Sequence, residues 1–350
     1  MPVLEYLRRL RAAALVLVLA AALAAVARPA GASAASPPPS SGSAHAFLLA
    51  TSGSSFEDFK VNYRRIGTVY PTFFACDRSS GQITGSDDAA VTQFAQDRRV
   101  KVLARFDCQH GPTLHRILTE PALRESTLAG LMSLVAEHGY DGINLDFESG
   151  AASDRDAYTA FVTDLATRLH GAGKALTVDV SAKRMDDDVN HPRSALYDYR
   201  ALAKVADHVF VMAWGNHWQT SGPGPMADWS WFTSVVDYVA AQPDPGRYVI
   251  GAPLYGFDWP SGGGAANPGT ANEYADLTAR AQRVGATPQF DATAREAHFS
   301  YTDGSGAPHE VWFMTAQAVV ERLDHARARG LGVGVWRLGR EDQSLWASIG

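Results

Sequence analysis

The sequence predicts an α/β fold, a TIM-type (β/α)8 barrel with a small α+β insertion between strands 7 and 8. Three observations predict it. Eight short apolar, β-rich runs recur along the chain, at 45–50, 66–75, 100–106, 142–147, 175–182, 208–214, 248–255 and 332–338. Helical patterns lie between most of them, and strand alternating with helix means a parallel sheet. Residues 45–350 are enough chain for one barrel domain and too many for a small module.

The elements follow in order. Arg8, Arg9 and Arg11 form a basic n-region, residues 12–27 are an unbroken apolar run, and Ala32-Ser33-Ala34 is a small-x-small cleavage site. These are the parts of a secretory signal peptide over 1–34. The apolar run is shorter than the about 20 residues a spanning helix needs, so no stable membrane insertion is expected after cleavage. Residues 35–44 are rich in Pro, Ser and Gly and read as a linker. A helix is expected over 87–98 and another over 123–138, with apolar residues at 128, 131, 132 and 135. The clearest spans 153–170, with Ser153 and Asp156 as a capping box and Gly171 closing it. The last gap is too long for one crossover, so an insertion is placed at about 261–313. It holds a helix over 271–284 and two strands, 298–301 and 310–313, around the turn Asp303-Gly304-Ser305-Gly306.

Charge narrows the partners. The chain carries 31 Lys and Arg against 37 Asp and Glu, a net of −6. Four Arg and one Glu lie in residues 1–44, so the domain itself carries −9. That balance disfavours nucleic acid and anionic lipid and suits a neutral polymer. The two cysteines, Cys76 and Cys108, have no metal-ligand spacing. Each lies just past an apolar run, at the same end of what would be neighbouring strands. In an exported chain this favours a disulfide over two unpaired buried thiols.

The segment Asp141-Gly142-Ile143-Asn144-Leu145-Asp146-Phe147-Glu148 carries the chemistry. Side chains alternate along a strand, so Ile143, Leu145 and Phe147 share one face and Asn144, Asp146 and Glu148 the other. The outer face of a barrel strand packs on helices. The polar row therefore points inward, where Val, Ile and Leu are normal. Two carboxylates about 6–7 Å apart resist joint ionisation, so one of them is expected to hold a proton, as a general acid must.

This segment resembles the D-x-x-D-x-D-x-E signature of family 18 glycoside hydrolases, with Asn144 in place of the third-from-last acid. The resemblance continues through Met212-Ala213-Trp214, Ser221-Gly222-Pro223-Gly224-Pro225, residues 251–259, Val311-Trp312-Phe313 and residues 334–339. It is nearest to the spore-germination branch, whose members hydrolyse peptidoglycan glycan strands and often carry Asn at the Asn144 position. The resemblance implies Glu148 as general acid/base and Asp146 as the group orienting the substrate's acetamido group, whose oxygen is the nucleophile. It is for this substrate-assisted route that the family departs from the two-carboxylate scheme. Trp336 matches the aromatic floor beneath the sugar. One departure stands out. The family's tyrosine-acid pair at the end of strand 6 is here Trp214-Gly215, so Trp214 or Asn216 must take the acetamide contact, and an indole donates but cannot accept.

Trp214 and Trp336 are expected to touch sugar, with Met212 beside them. Tyr255 and Asp258, after strand 7, are further candidate contacts. Trp218 and Trp259 fall in loops on the same side and are open as outer subsites, whereas Trp229, Trp231, Trp312 and Trp346 are read as packing. No cofactor or metal is expected: His110, His115, His191 and His217 share no ligand spacing, and the run Asp186-Asp187-Asp188 reads as a solvated turn. Two functions follow. The first is a secreted, monomeric, retaining hydrolase of N-acetylglucosamine polysaccharides, peptidoglycan favoured and chitin the alternative. The second, motivated by Trp214-Gly215, is a non-catalytic, lectin-like glycan binder on the same barrel.

Overall fold

A computed structural model describes residues 44–186, 192–260 and 262–349. The expected signal peptide, all of the linker but Ala44, and also Asp187, Asp188 and His191, lie outside the described residues. The strands, in chain order, begin with β1 (Ala44–Leu48), β2 (Ile66–Pro71), β3 (Phe74–Cys76), β4 (Ile83–Gly85) and β5 (Lys101–Cys108). They continue with β6 (Gly142–Phe147), β7 (Ala175–Ser181), β8 (His208–Met212) and β9 (Tyr248–Pro253). β10 (Gly256–Pro260), β11 (Thr270–Asn272), β12 (Gln289–Asp291), β13 (Glu296–Thr302) and β14 (Pro308–Phe313) precede the last strand, β15 (Gly332–Trp336).

Eight of them close a parallel barrel in the order β2-β1-β15-β9-β8-β7-β6-β5, with β5 returning to β2. These are the eight apolar runs. Helices α1 (Gly53–Asn62), α2 (Ala89–Asp97), α3 (Gly111–Thr119), α4 (Pro121–His138), α5 (Arg155–Gly171), α6 (Tyr199–Val205) and α7 (Trp229–Ala240) lie between them. α8 (Tyr274–Arg283) lies in the insertion, and α9 (Ala316–Arg327) and α10 (Leu345–Ser348) flank β15.

The faces of β6 divide as the alternation requires. Ile143, Leu145 and Phe147 are fully buried, and the Phe147 ring sits 6.1 Å from Tyr158 and 5.5 Å from Phe161 of α5. Inside the barrel, Phe47, Tyr70, Leu103, Phe210 and Val249 form one apolar plug. Phe210 meets Phe47 edge-on at 5.0 Å. Its bulk is accommodated by two glycines on the facing strands. A Cβ on Gly251 or Gly334 would lie 2.4 Å from a Phe210 ring atom. The plug fills the barrel's middle and leaves the polar row above it at the strands' C-terminal ends.

Several local expectations are corrected. The run 66–75 is two strands: β2 ends at Pro71, and β3 continues parallel to β5 while β4 turns back to pair with it. α3 was not anticipated; Pro112 occupies its first turn, where a missing N–H costs nothing. The α5 helix begins not at a Ser153 box but after a 3-10 turn, Ala152–Asp154, in which Asp154 accepts from the Ala151 N–H. Gly171 is that helix's last residue rather than its closing turn, and the left-handed position is Gly173, at φ 68°. The insertion starts at Gly256, not 261. Its antiparallel sheet runs β11-β10-β14-β13-β12, and Trp259, a candidate outer subsite, is fully buried within it. The Cys76–Cys108 disulfide is present, with Cα atoms 5.1 Å apart, and ties the β3–β4 hairpin to the end of β5.

Candidate active site

Register brings the polar groups together. β5 and β6 pair Arg105 with Asn144 and Asp107 with Asp146. β6 and β7 pair Asn144 with Thr177, which puts Asp179 one step higher on the same inner face. Asn144, Asp146, Asp179 and Arg105 are each 5% exposed or less.

Arg105 occupies the place where the sequence suggested only carboxylates. Its Nε donates to Asp146 Oδ2 at 2.8 Å, and its Nη2 donates to the same oxygen. Its Nη1 lies 3.0 Å from Asp107 Oδ1. Burial pulls the guanidinium down, but Asp146 and Asp107 outweigh that and hold it above its ordinary value. Burial raises the Asp107 carboxyl, and Arg105 pulls it partly back.

The surroundings push the Asp179 carboxyl toward its neutral form. Burial lifts it well above the usual carboxylate range, and Asp146 adds to the lift; the Asn144 amide and Arg105 oppose it. Asn144 Nδ2 donates to Asp179 Oδ1 at 2.7 Å. A third acid, Asp179 on the next strand, thus stands beside Asp146 and Glu148. The same alternation, applied to the runs at 100–106 and 175–182, would have turned Arg105 and Asp179 inward.

Two acceptors in the row remain unspent on the protein. Asp146 Oδ1 and Asn144 Oδ1 are buried and make no protein hydrogen bond. Glu148 is half-buried, above them on the same face. Its Oε1 accepts from Gln109 Nε2 at 3.1 Å, and its backbone N–H donates to Cys108 O at 3.0 Å, next to the disulfide. Ser149 follows in the left-handed region at φ 63°, and its carbonyl lies where a Cβ on Gly111 would be 2.5 Å away. Glycine at 111 therefore lets the α3 start approach the end of β6.

Trp336 ends β15 half-buried, 5.0 Å from the Phe47 ring and 5.4 Å from the Arg105 guanidinium. Trp214 and Met212 are half-buried against the apolar plug, Trp214 at 6.4 Å from Phe210. The Asn216 backbone N–H donates to Met226 O at 2.9 Å. The Met226 and Ala227 N–H groups in turn donate to Glu296 of β13, which pairs with buried Arg322. The loop carrying Asn216 and the exposed Trp218 is thereby fastened to the insertion. Tyr255 is half-buried, with burial raising its hydroxyl's pKa, and packs edge-on against Phe257 at 5.4 Å.

Asp258 does not join this group. It accepts from Arg280, from the Tyr301 hydroxyl at 2.7 Å and lies 2.7 Å from His309 Nδ1, all within the insertion. Asp258 is buried at 4% exposure, and these contacts hold it within the insertion's sheet. Among the described residues no group of three or more His, Cys, Asp or Glu is placed to hold a metal ion, and no helix is long and apolar enough to cross a membrane.

The model of glycosyl hydrolases family 18 matches residues 53–341. The chain belongs to that family. It is 33% identical over 260 residues to a Bacillus subtilis protein named as a sporulation-specific glycosylase, YdhD, covering 72% of this chain and 61% of YdhD. It is 28% identical over 232 residues to the cortical fragment-lytic enzyme of Bacillus anthracis, covering 66% of this chain and 54% of that enzyme. Both curated relatives are thus matched over less than two thirds of their length. A chitinase from Chromobacterium violaceum superposes with a TM-score of 0.80 at 27% identity, covering 88% of this chain and 98% of the chitinase.

Proposed function

We propose that this family 18 chain is a secreted, retaining hydrolase of β-1,4-linked N-acetylglucosamine glycans, with peptidoglycan the favoured polymer. The observation that carries the reading is the pairing of a half-buried Glu148 with a buried, unspent Asp146 Oδ1 one step below it on the same strand face. Relatives named for cortex lysis and sporulation support peptidoglycan; a chitinase of similar structure keeps chitin as the alternative.

The chemistry is as follows. The sugar bearing the acetamide lies on Trp336, whose indole face suits the apolar C–H face of a pyranose. Asp146 Oδ1 accepts the acetamido N–H and turns the acetamido oxygen toward C1. That oxygen forms a bond to C1 while the glycosidic C–O bond breaks, and Glu148 gives its proton to the leaving oxygen. The resulting oxazolinium ion carries the positive charge beside Asp146. Glu148, now ionised, takes a proton from water as the water oxygen bonds to C1 from the vacated face; the bond from C1 to the acetamido oxygen breaks, and its electron pair restores the neutral acetamide. The anomeric configuration is retained.

The test is product analysis by mass spectrometry after incubation with N-acetylglucosamine oligomers and with purified peptidoglycan. Wild type is expected to release new reducing ends, and Glu148→Gln to lose at least about 10²-fold in rate. The polymer that is cut names the substrate. If wild type yields no product from either, the hydrolase reading falls. The Trp214-Gly215 departure then favours the lectin-like reading, tested by glycan affinity that survives Glu148→Gln.

A further inference from the structure

We infer that Arg105 is a positioning residue of this active site: it grips one oxygen of Asp146 so that the other is held, in one orientation, for the substrate's acetamido N–H. The inference rests on the hydrolase reading above and adds a residue to it.

The argument starts from the division of labour at Asp146. Arg105 Nε and Nη2 both donate to Oδ2, while Oδ1 is buried and makes no protein hydrogen bond. Two donors from one rigid, planar group hold Oδ2 in place, and because Cγ is tethered to the strand, fixing Oδ2 stops rotation about Cβ–Cγ and leaves Oδ1 in one position. The guanidinium is itself fixed. Its third nitrogen contacts Asp107 Oδ1 at 3.0 Å and its centre lies 5.4 Å from the Trp336 ring. One cation therefore spans strands β5, β6 and β15 and relates the carboxylate that receives the acetamide to the indole on which the sugar lies.

The residue at 144 makes this grip matter. An acid there could share a proton with Asp146 and set its orientation from below. Asn144 has no proton to share: one of its two amide N–H groups goes to Asp179 Oδ1, and neither Asp146 oxygen accepts from it. Of the other acids nearby, Asp107 is engaged by Arg105 Nη1 and Asp179 accepts from Asn144, while both donors to Asp146 Oδ2 are Arg105's. Arg105 is the group that orients it. A reading in which Arg105 only balances buried charge makes a different forecast: a lysine would then serve as well.

The experiment compares wild type, Arg105→Lys, Arg105→Met, Asp146→Asn and the double variant Arg105→Met/Asp146→Asn on an N-acetylglucosamine tetramer, with folding checked by near-ultraviolet circular dichroism. Arg105→Lys keeps the charge and loses the two-nitrogen grip. Its kcat is expected to fall about tenfold or more with KM changed by less than about threefold, and Arg105→Met to fall about 10²-fold. The double variant is expected to be no more than about threefold worse than Asp146→Asn alone, because Arg105 acts through Asp146. Arg105→Lys with wild-type kcat, or losses that multiply in the double variant, would overturn the inference. The lysine variant decides the matter even if the methionine variant does not fold. If wild type turns nothing over, the hydrolase reading fails by itself. The same proteins are then compared for tetramer binding by tryptophan fluorescence, where a non-additive loss of affinity supports the grip, and additive losses or no binding overturn it.

Discussion

Asp179 is a buried acid two steps from the reacting groups, and its cost can be read from pH. Burial, with Asp146 nearby, holds its carboxyl well above the ordinary range in the folded chain. In the unfolded chain it titrates near its reference value of about 3.9. Above that pH the unfolded state gains by ionising and the folded state does not, so stability is lost as pH rises toward the folded value. Asp179→Asn keeps an oxygen to accept from Asn144 and removes the titration. Its melting temperature is expected to exceed wild type by about 2 °C or more at pH 7, with no gain near pH 3. An equal change at both pH values would refute this account. The site was half legible at this scale. Asp146 and Glu148 follow from strand alternation and a barrel's need for an apolar outside. Arg105 and Asp179 sit on strands that read as ordinary apolar runs with single charges, and only pairing across strands shows those charges converging. Asp258 misled in the opposite sense. Its partners Arg280, Tyr301 and His309 are remote in sequence, so its saturation was invisible.

Single elements are placed by what the barrel's inside can hold. Phe210 fills the middle because β9 and β15 face it with Gly251 and Gly334. Gly251→Ala would set a methyl 2.4 Å from the Phe210 ring and 2.8 Å from Trp214. Overpacking of this kind costs about 1–3 kcal/mol. A urea titration should show that loss, and tryptophan fluorescence should shift as Trp214 moves. Unchanged stability and spectrum would mean that the plug repacks freely. The eight barrel strands were legible because each is a short apolar run between helical patterns. The break between β2 and β3 was not, since apolar character continues through Phe73 and Phe74 while β2 ends at Pro71 and β3 runs on parallel to the same neighbour, β5. α3 was missed because Gly111-Pro112 looks like a breaker, although proline suits a helix's first turn. The insertion's first strand was missed for a related reason: Gly256–Pro260 continues the apolar run of β9 with only two residues between.

The molecule as a whole should be less stable in mild alkali than in mild acid. Glu341, in the segment after β15, is pushed up to about 8 by burial and by the neighbouring Asp58 carboxyl of α1. Its unfolded value is near 4.3. By the same sign rule it reduces stability progressively from about pH 5 to pH 8. Glu341→Gln is expected to flatten the fall in melting temperature between pH 5.5 and 8.5, and a slope identical to wild type would exclude this pair as its source. The carboxyl also accepts from the Trp346 and Arg340 N–H groups, so it ties the barrel's last strand to its first helix and to the chain's end. The insertion has a kinetic consequence at this scale. β9 and β15 are neighbours in the barrel wall, yet the whole second sheet lies between them in the chain. Joining them directly would spend the loop-closure entropy of that entire stretch. But Gly256, at the insertion's entrance, pairs with Phe313 near its exit. Once β10 and β14 have zipped together, the two ends are already side by side and only a short connection is left to close. If the insertion folds first, it acts as a clasp for the barrel, and weakening the β10–β14 ladder is then expected to slow refolding by nearly the whole of the stability it loses, with the unfolding rate almost unchanged.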